Sequence, residues 1–556
     1  MILRLSVLSA AIALSCGTAA ARQPEFSIQL NSLASYTGSA AGVPDTTGIE
    51  VLAFDRASKR VFAINAGANS VDVVDLADPA NPTRVTAIDF SPFGGGVNGV
   101  AVHDGLVAVA SEAFVKTDRG NVVFLDAATL DVLGQAPAGA LPDMVTFTPD
   151  GEYLLVANEG EPSEDYSVDP EGSVTVIDLT NGVAGASART ATFSAWIGRE
   201  DQLRGDGLRI FGIKSDGSAS NAAEDFEPEY IAVQGPRAYV TLQENNAVAV
   251  LNIGQARIES VLPLGFKNHN LTGQGLDPSD RDGVNLVQPW PVLGMFNPDS
   301  IVTLKVRNEV FLLTANEGDA RVYPTGDDVI PGVDEGDIFN EEAALEDLDL
   351  DPAAFPDADT LQERANLGRL NVTSTLGDPD GDGLFNRLYS FGARSFSVWS
   401  VADFAATTAL TAPNAGLVYD SGDAFEQVTR SVYPLQFNAS NSNTTRDNRS
   451  DNKGPEPEGI AVGRVGPRDY AFISLERIGG VMVYDVSNPR QPQFLQYVNT
   501  RSFGSDALPG QNDSGPEGVT FVAAEDSPNG RPLLLVGNEV SQTLAVFEVE
   551  ALNSQR

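Results

Sequence analysis

Carboxylates recur in pairs along this 556-residue chain, and paired carboxylates brought to a common edge are the raw material of a hard-cation site. The first members are Glu50, Asp143, Glu229, Asp299, Glu458 and Glu517, and from Asp143 onward each follows a proline. The second members follow 13 to 22 residues after each opening, often as Asn-Glu: Glu159, Glu244, Glu317, Glu476 and Glu539, while two looser units set Glu50 with Asn65 and Asn98 with Glu112. Two unit charges about 8 Å apart at an effective dielectric near 20 repel by roughly 2 kcal/mol, so a dozen of them cannot converge uncompensated. Protonation, hydrogen bonds from backbone and arginine, or bound cations would supply the compensation. The alternatives are acids that latch neighbouring sheets by accepting N–H bonds and acids that hold cations; the two are compatible.

Calcium is the cation these residues fit. Asp378, Asp380 and Asp382 alternate before Gly383, the spacing with which an oxygen-rich loop folds round a hard ion. Tyr389 stands at the twelfth position, where a bidentate Glu would close an EF-hand, so the alternative is an ordinary Asp/Gly turn. Asp277, Asp280 and Asp282 make a weaker version. Zinc is excluded in practice, because the chain has two histidines, His103 and His269, and one cysteine. With no Gly-x-Ser-x-Gly elbow and no phosphate-binding loop, the credible catalysis is metal-assisted hydrolysis of a phosphate ester. Glu317, Glu458 and His269 are its catalytic candidates, and Lys267, Arg321, Arg369 and Lys453 the phosphate holders, each with charge pairing to nearby acids as its alternative.

These pairs must be positioned by strands. The runs around them alternate with period two, are rich in β-branched residues and are separated by Gly, Pro and Asp turns. Units begin near residues 48, 98, 142, 228, 298, 457 and 516, and each parses into four short antiparallel strands. The expected fold is all-β, a seven-bladed β-propeller in which the first strand of each blade lines the axis. The last unit supplies three strands, and FSIQLNSLASY (26–36) is expected to close the ring as its fourth. Insertions at 266–297, 319–387 and 423–456 should emerge on the acidic face, the middle one carrying a helix-like stretch at 341–351 and charge enough for partial disorder. Residues 22–556 thus read as one domain.

Net charge is -41, which repels nucleic acid and anionic lipid and attracts cations. Residues 1–21 read as a secretory signal, with Arg4, an apolar run from Leu5 to Leu14 and small residues at 18–21. No later apolar run of about 18 residues suggests a membrane span. Cys16 lies inside the signal, where a lipoprotein box is the lesser alternative; without it the exported chain has no cysteine. A secreted or periplasmic monomer is expected, with cations as partners and a phosphate ester, a carbohydrate or a surface protein as ligand.

The motifs NSVDVVDLADPANP, ALPDMVTFTPDG, TANEGDAR, NLGRLNVTSTLGDPDGDG, KGPEPEGIAVG and GPEGVTF with LLVGNEVS resemble the bacterial choice-of-anchor I family over about residues 45–549. The resemblance implies an exported propeller-like protein of a family with variable C-terminal anchors, some members being labelled alkaline phosphatase or phytase-like. It brings no catalytic residues with it, and the end of this chain, EVEALNSQR, departs from the anchored pattern. Two functions stay open: a calcium-binding module acting through an acidic face, or a calcium-dependent phosphoesterase.

Overall fold

A computed structural model describes residues 26–38, 48–325, 330, 332–404, 411–504 and 512–553. The signal expected at 1–21, with Cys16, lies outside the described residues. Among the described residues, no helix is long and apolar enough to cross a membrane.

The chain folds mainly as four-stranded antiparallel sheets, seven among the described residues, five of them runs of neighbouring hairpins. Their first strands are Ile49–Asp55, Val97–His103, Pro142–Phe147, Pro228–Gln234, Ile301–Val306, Pro457–Val465 and Pro516–Val522. Second and third strands, such as Arg60–Asn65 and Ser70–Asp75, are buried along nearly their whole length, polar Asp72 included. That pattern belongs to strands covered on both faces. Fourth strands, such as Thr83–Asp89, are far more exposed and form the outer edges.

The covering of both faces comes from neighbouring sheets. Phe62 and Val73 pack with Val100 and Val109 of the next sheet, and Phe311 and Phe396 pack with Ile473 and Met482. Leu535 and Val546, near the end of the chain, pack with Val61 and Val74 of the first sheet. Each first strand also packs against the first strand of the following sheet, and the last against Ile49–Asp55. The fourth strand of the last sheet is Phe26–Thr37, which pairs antiparallel with Thr543–Asn553 from Phe26↔Asn553 to Thr37↔Thr543.

Parts of the first two insertions, among the described residues, form regular structure. Phe266–Asn268, Leu293–Met295, Tyr389–Ser390, Asn371–Thr373 and Glu342–Ala344 form a five-stranded sheet that draws on the first two insertions. It stands over its own apolar cluster, including Val292, Leu345, Leu350, Phe355, Leu367 and Leu388. The helix expected at 341–351 is absent. That stretch is a strand at Glu342–Ala344, paired with Asn371–Thr373, and a 3-10 turn at Leu345–Asp347. Burying Leu345 and Leu350 outweighed the helix propensity of the sequence. A further excursion, at 197–227, went unread in the sequence; it carries two short helices, Glu200–Gly205 and Ala222–Asp225.

Candidate metal centre

Six of the seven sheets open with one repeated piece of backbone geometry, the sheet beginning at Ile301 pairing without it. In the third sheet Pro142 pairs with Asn158, but the next pairing is Val145 with Val156, so one extra residue is held on the first strand. The same irregularity follows Ile49, Val97, Pro228, Pro457 and Pro516. A bulge of this kind bends the strand and re-aims a side chain. Glu50, Asp143, Glu229, Glu458 and Glu517 all stand inside such bulges, and Asn98 holds the equivalent place in the second sheet, where its Nδ2 donates to the Pro142 carbonyl at 3.2 Å.

A second repeat fixes the closing acids. The backbone N–H of Glu159 donates to the carbonyl of Leu141 at 2.9 Å, Glu476 to Glu456 at 2.9 Å and Glu539 to Gly515 at 2.7 Å. The acceptor is the residue before the opening proline, and in these three sheets it has a positive φ. Both acids of a sheet are thereby clipped to one edge. In the dipeptide Asn-Glu the labour is divided: Asn158 turns inward and bonds the third strand at Ser173 and Thr175, while Glu159 faces the opening.

The outcome is a funnel of about 430 Å³ lined by thirteen carboxylates, Lys453, Arg477 and Gln243. Eleven of the twelve sequence-paired acids line it. Glu112 does not; its backbone N–H bonds Gly96 and its carboxylate lies against that glycine. Beneath the funnel, the residues that follow the acids, including Val51, Met144, Tyr230 and Ser300, begin a cavity of about 540 Å³ lined by the first strands of all seven sheets.

Three further funnel acids went unread: Glu161 and Asp319 in the wall, and Glu456 beside it. The signal was available, since Asn158-Glu-Gly-Glu161 and Asn316-Glu-Gly-Asp319 share one spacing. The glycine between is required at Gly318, where φ is +109° and an added Cβ would overlap the backbone of Gly392.

Crowding is reflected in proton affinity. Burial, and then the neighbouring carboxylates, push Asp143 up to about 7 and Glu476 to about 8. Burial pushes Glu244 up to about 7. The same causes raise Glu159, Glu229, Asp299, Glu458 and Glu517 well above the usual carboxylate range. Asp319 goes the other way: burial would raise it, but the Lys453 ammonium outweighs that and holds it low. Glu229, Glu244 and Glu458 each keep a buried Oε2 without a hydrogen-bond partner among the described residues. Glu317, Glu458 and Glu476 each offer an oxygen within 4.8 Å of the others, the reach of a single ion.

Several candidates lie elsewhere. Lys267 is buried, donating to the carbonyls of Ala393 and Gly422 at 2.8 Å and pairing with Asp420 at 3.0 Å, so it does not face the funnel. His269 is buried, its Nδ1 2.7 Å from the Gln274 carbonyl, and burial lowers its pKa well below the usual value. Arg321 lies behind the funnel wall, paired with Glu227 at 2.6 Å and stacked over Phe211. Arg369 pairs with Asp280 at 2.8 Å and with Asp451. Lys453 does line the funnel.

The two Asp-rich loops also differ. Asp378, Asp380 and Asp382 are close enough to share an ion, at a partly exposed loop where Asp378 accepts N–H bonds from Gly381, Asp382 and Gly383. Asp277, Asp280 and Asp282 are not brought together: Asp277 is buried and accepts from the Leu286 N–H at 2.6 Å, Asp280 pairs with Arg369, and Asp282 accepts from Val284 at 2.8 Å.

Gigasin-3a of Magallana gigas is 30% identical over 210 residues, 35% of this chain and 69% of that protein. A mesenchyme-specific cell surface glycoprotein of Strongylocentrotus purpuratus is 29% identical over 248 residues, of which the chain spans 30% of the relative's length and 41% of its own. Among solved structures, a β-propeller domain from Myceliophteria thermophila aligns over 94% of this chain and 100% of its own, with TM-score 0.43 and 7% identity. The model of the choice-of-anchor I domain matches residues 50–489, and the chain belongs to that family.

Proposed function

We propose that the seven sheets are the blades of a closed seven-bladed propeller, and that the acidic funnel at one mouth holds calcium. On this reading the protein is an exported, calcium-stabilised binding and scaffold module. One observation carries it: Glu317, Glu458 and Glu476 set three carboxylate oxygens within 4.8 Å, and a bound cation would relieve the repulsion that the pairs Lys453–Glu317 and Arg477–Glu476 leave at Glu458. Oxygen donors at this density suit a hard ion that accepts six to eight ligands. Ring closure is supported by the apolar cluster shared between the last sheet and the first. Export rests on the signal pattern of residues 1–21, and a cell-surface relative agrees with a calcium-rich exterior.

The alternative, a calcium-dependent phosphoesterase, keeps Lys453 and Arg477 beside the same three acids. Both are held by carboxylates, Lys453 by Glu317 and Asp319 and Arg477 by Glu456, and a phosphate would have to enter a strongly negative field. Calorimetry of chelator-treated protein decides the matter. Calcium binding that is lost in Glu458→Gln and Glu476→Gln supports the module. Turnover of phosphate esters that needs calcium and fails in the same variants moves the reading to the enzyme. Wild-type protein that binds no calcium, or variants that bind as it does, would sink the site.

A further inference from the structure

The funnel is not uniform. Lys453, at the end of the third insertion, reaches into it and is buried to 6% exposure. Its Nζ lies 3.1 Å from Glu317 Oε1, 2.8 Å from Asp319 Oδ1 and 3.5 Å from Glu456 Oε2. Three carboxylate oxygens thus converge on a single positive point, as they would round an ion. Glu317 also belongs to the triplet with Glu458 and Glu476, so one carboxylate serves two adjacent positive positions. Its other oxygen accepts from Gln243 Nε2 at 2.7 Å, which fixes the plane of the group between them.

We propose that Lys453 is the tethered second cation of a bridged pair: its ammonium fills one position, Glu317 is the bridge, and a divalent ion exchanges at the other. The inference rests on the calcium reading above. It explains why a funnel of thirteen carboxylates carries a lysine from a distant insertion. The lysine neutralises one position permanently and presents Glu317 to the other, so the site takes one divalent ion where the bare carboxylates would take two. Buried oxygens on Glu229 and Glu244, each 7% exposed, have no hydrogen-bond partner among the described residues, so acceptors in the same funnel remain unsatisfied. Replacing ammonium by calcium at Lys453 asks the three oxygens, now at 2.8, 3.1 and 3.5 Å, to close to the calcium–oxygen distance of about 2.3–2.6 Å, the largest step being that of Glu456.

The test is a calcium stoichiometry, by equilibrium dialysis of chelator-treated wild type, Lys453→Ala and Lys453→Arg. Any ion on the exposed Asp378 loop is common to all three and cancels. The alanine variant should bind one more calcium per chain than wild type, and the arginine variant the same number as wild type. Lys453→Ala that unfolds in chelator and refolds in excess calcium with the extra ion also supports the pair. An alanine variant that gains no ion while wild type binds calcium overturns the tethered cation and leaves the site standing. An alanine variant that fails to fold even in excess calcium overturns it too. If wild type and both variants bind none, the calcium reading itself falls, and this inference with it.

Discussion

Asn158 Nδ2 donates to Thr175 Oγ1 at 3.0 Å, and Asn158 Oδ1 accepts from the Gly139 N–H at 2.7 Å. One fully buried amide therefore ties the second strand of the third sheet to its third strand and to Val132–Ala140, the fourth strand of the second sheet, directly beside the funnel acid Glu159. Asn158→Leu leaves buried polar partners unpaired and should cost about 3 kcal/mol. Urea denaturation of wild type and variant reads this as a lower midpoint with unchanged slope; an unchanged midpoint would show that the amide is dispensable.

Gly318 and Gly182 separate two effects of an added methyl. Both have positive φ, but a Cβ at Gly318 would overlap the Gly392 backbone, whereas at Gly182 it meets nothing within 4 Å. Gly182→Ala should therefore cost about 1 kcal/mol from conformation alone. Gly318→Ala should cost at least twice as much and weaken calcium binding, because the chain between Glu317 and Asp319 must shift. Thermal melts and calcium titrations of the two variants make the comparison.

Lys267 was expected to hold phosphate, and its surroundings make it structural instead. Lys267→Met removes one half of a buried pair and leaves Asp420 with a buried uncompensated charge, a loss of about 3–5 kcal/mol. The same change should leave affinity for inorganic phosphate unaltered. A selective loss of phosphate binding at wild-type stability would contradict the geometry.

His269 gives the fold a dependence on acid. Burial, then the nearby Lys267, depress its folded pKa, so the unfolded chain binds the proton more readily. Its stabilising contribution is complete above the unfolded value of about 6.5 and is lost as pH falls below it, by up to about 1.4 kcal/mol per pH unit. The raised funnel acids take up protons over the same range and act in the opposite sense, so the readout is the difference: between pH 7.5 and 5 the unfolding midpoint of wild type should fall relative to that of His269→Gln.

Strand positions and the funnel were legible because both are written locally. Alternating apolar residues give the strands, and a proline followed by an acid marks where each bulge re-aims a side chain, as at Pro142-Asp143 and Pro457-Glu458. The partners of the long basic residues were not legible. Lys267 meets Asp420 and Arg321 meets Glu227 only because distant insertions fold back, and no spacing encodes that. The helix expected at 341–351 failed for the same reason: Leu345 and Leu350 answer to a core assembled from both sides of the second insertion and from Val292 of the first. Glu112 kept the spacing of its fellows but not their place, since Gly94, Gly95 and Gly96 let the chain close over it.

The pairing of Phe26–Thr37 with Thr543–Asn553 joins segments more than five hundred positions apart. A growing polypeptide cannot make that bond until its final strand has emerged, so the last sheet is the seam of the molecule, sewn after the others. Peeling either segment opens the same edge, so a protease nick in one of them releases the other from its partner.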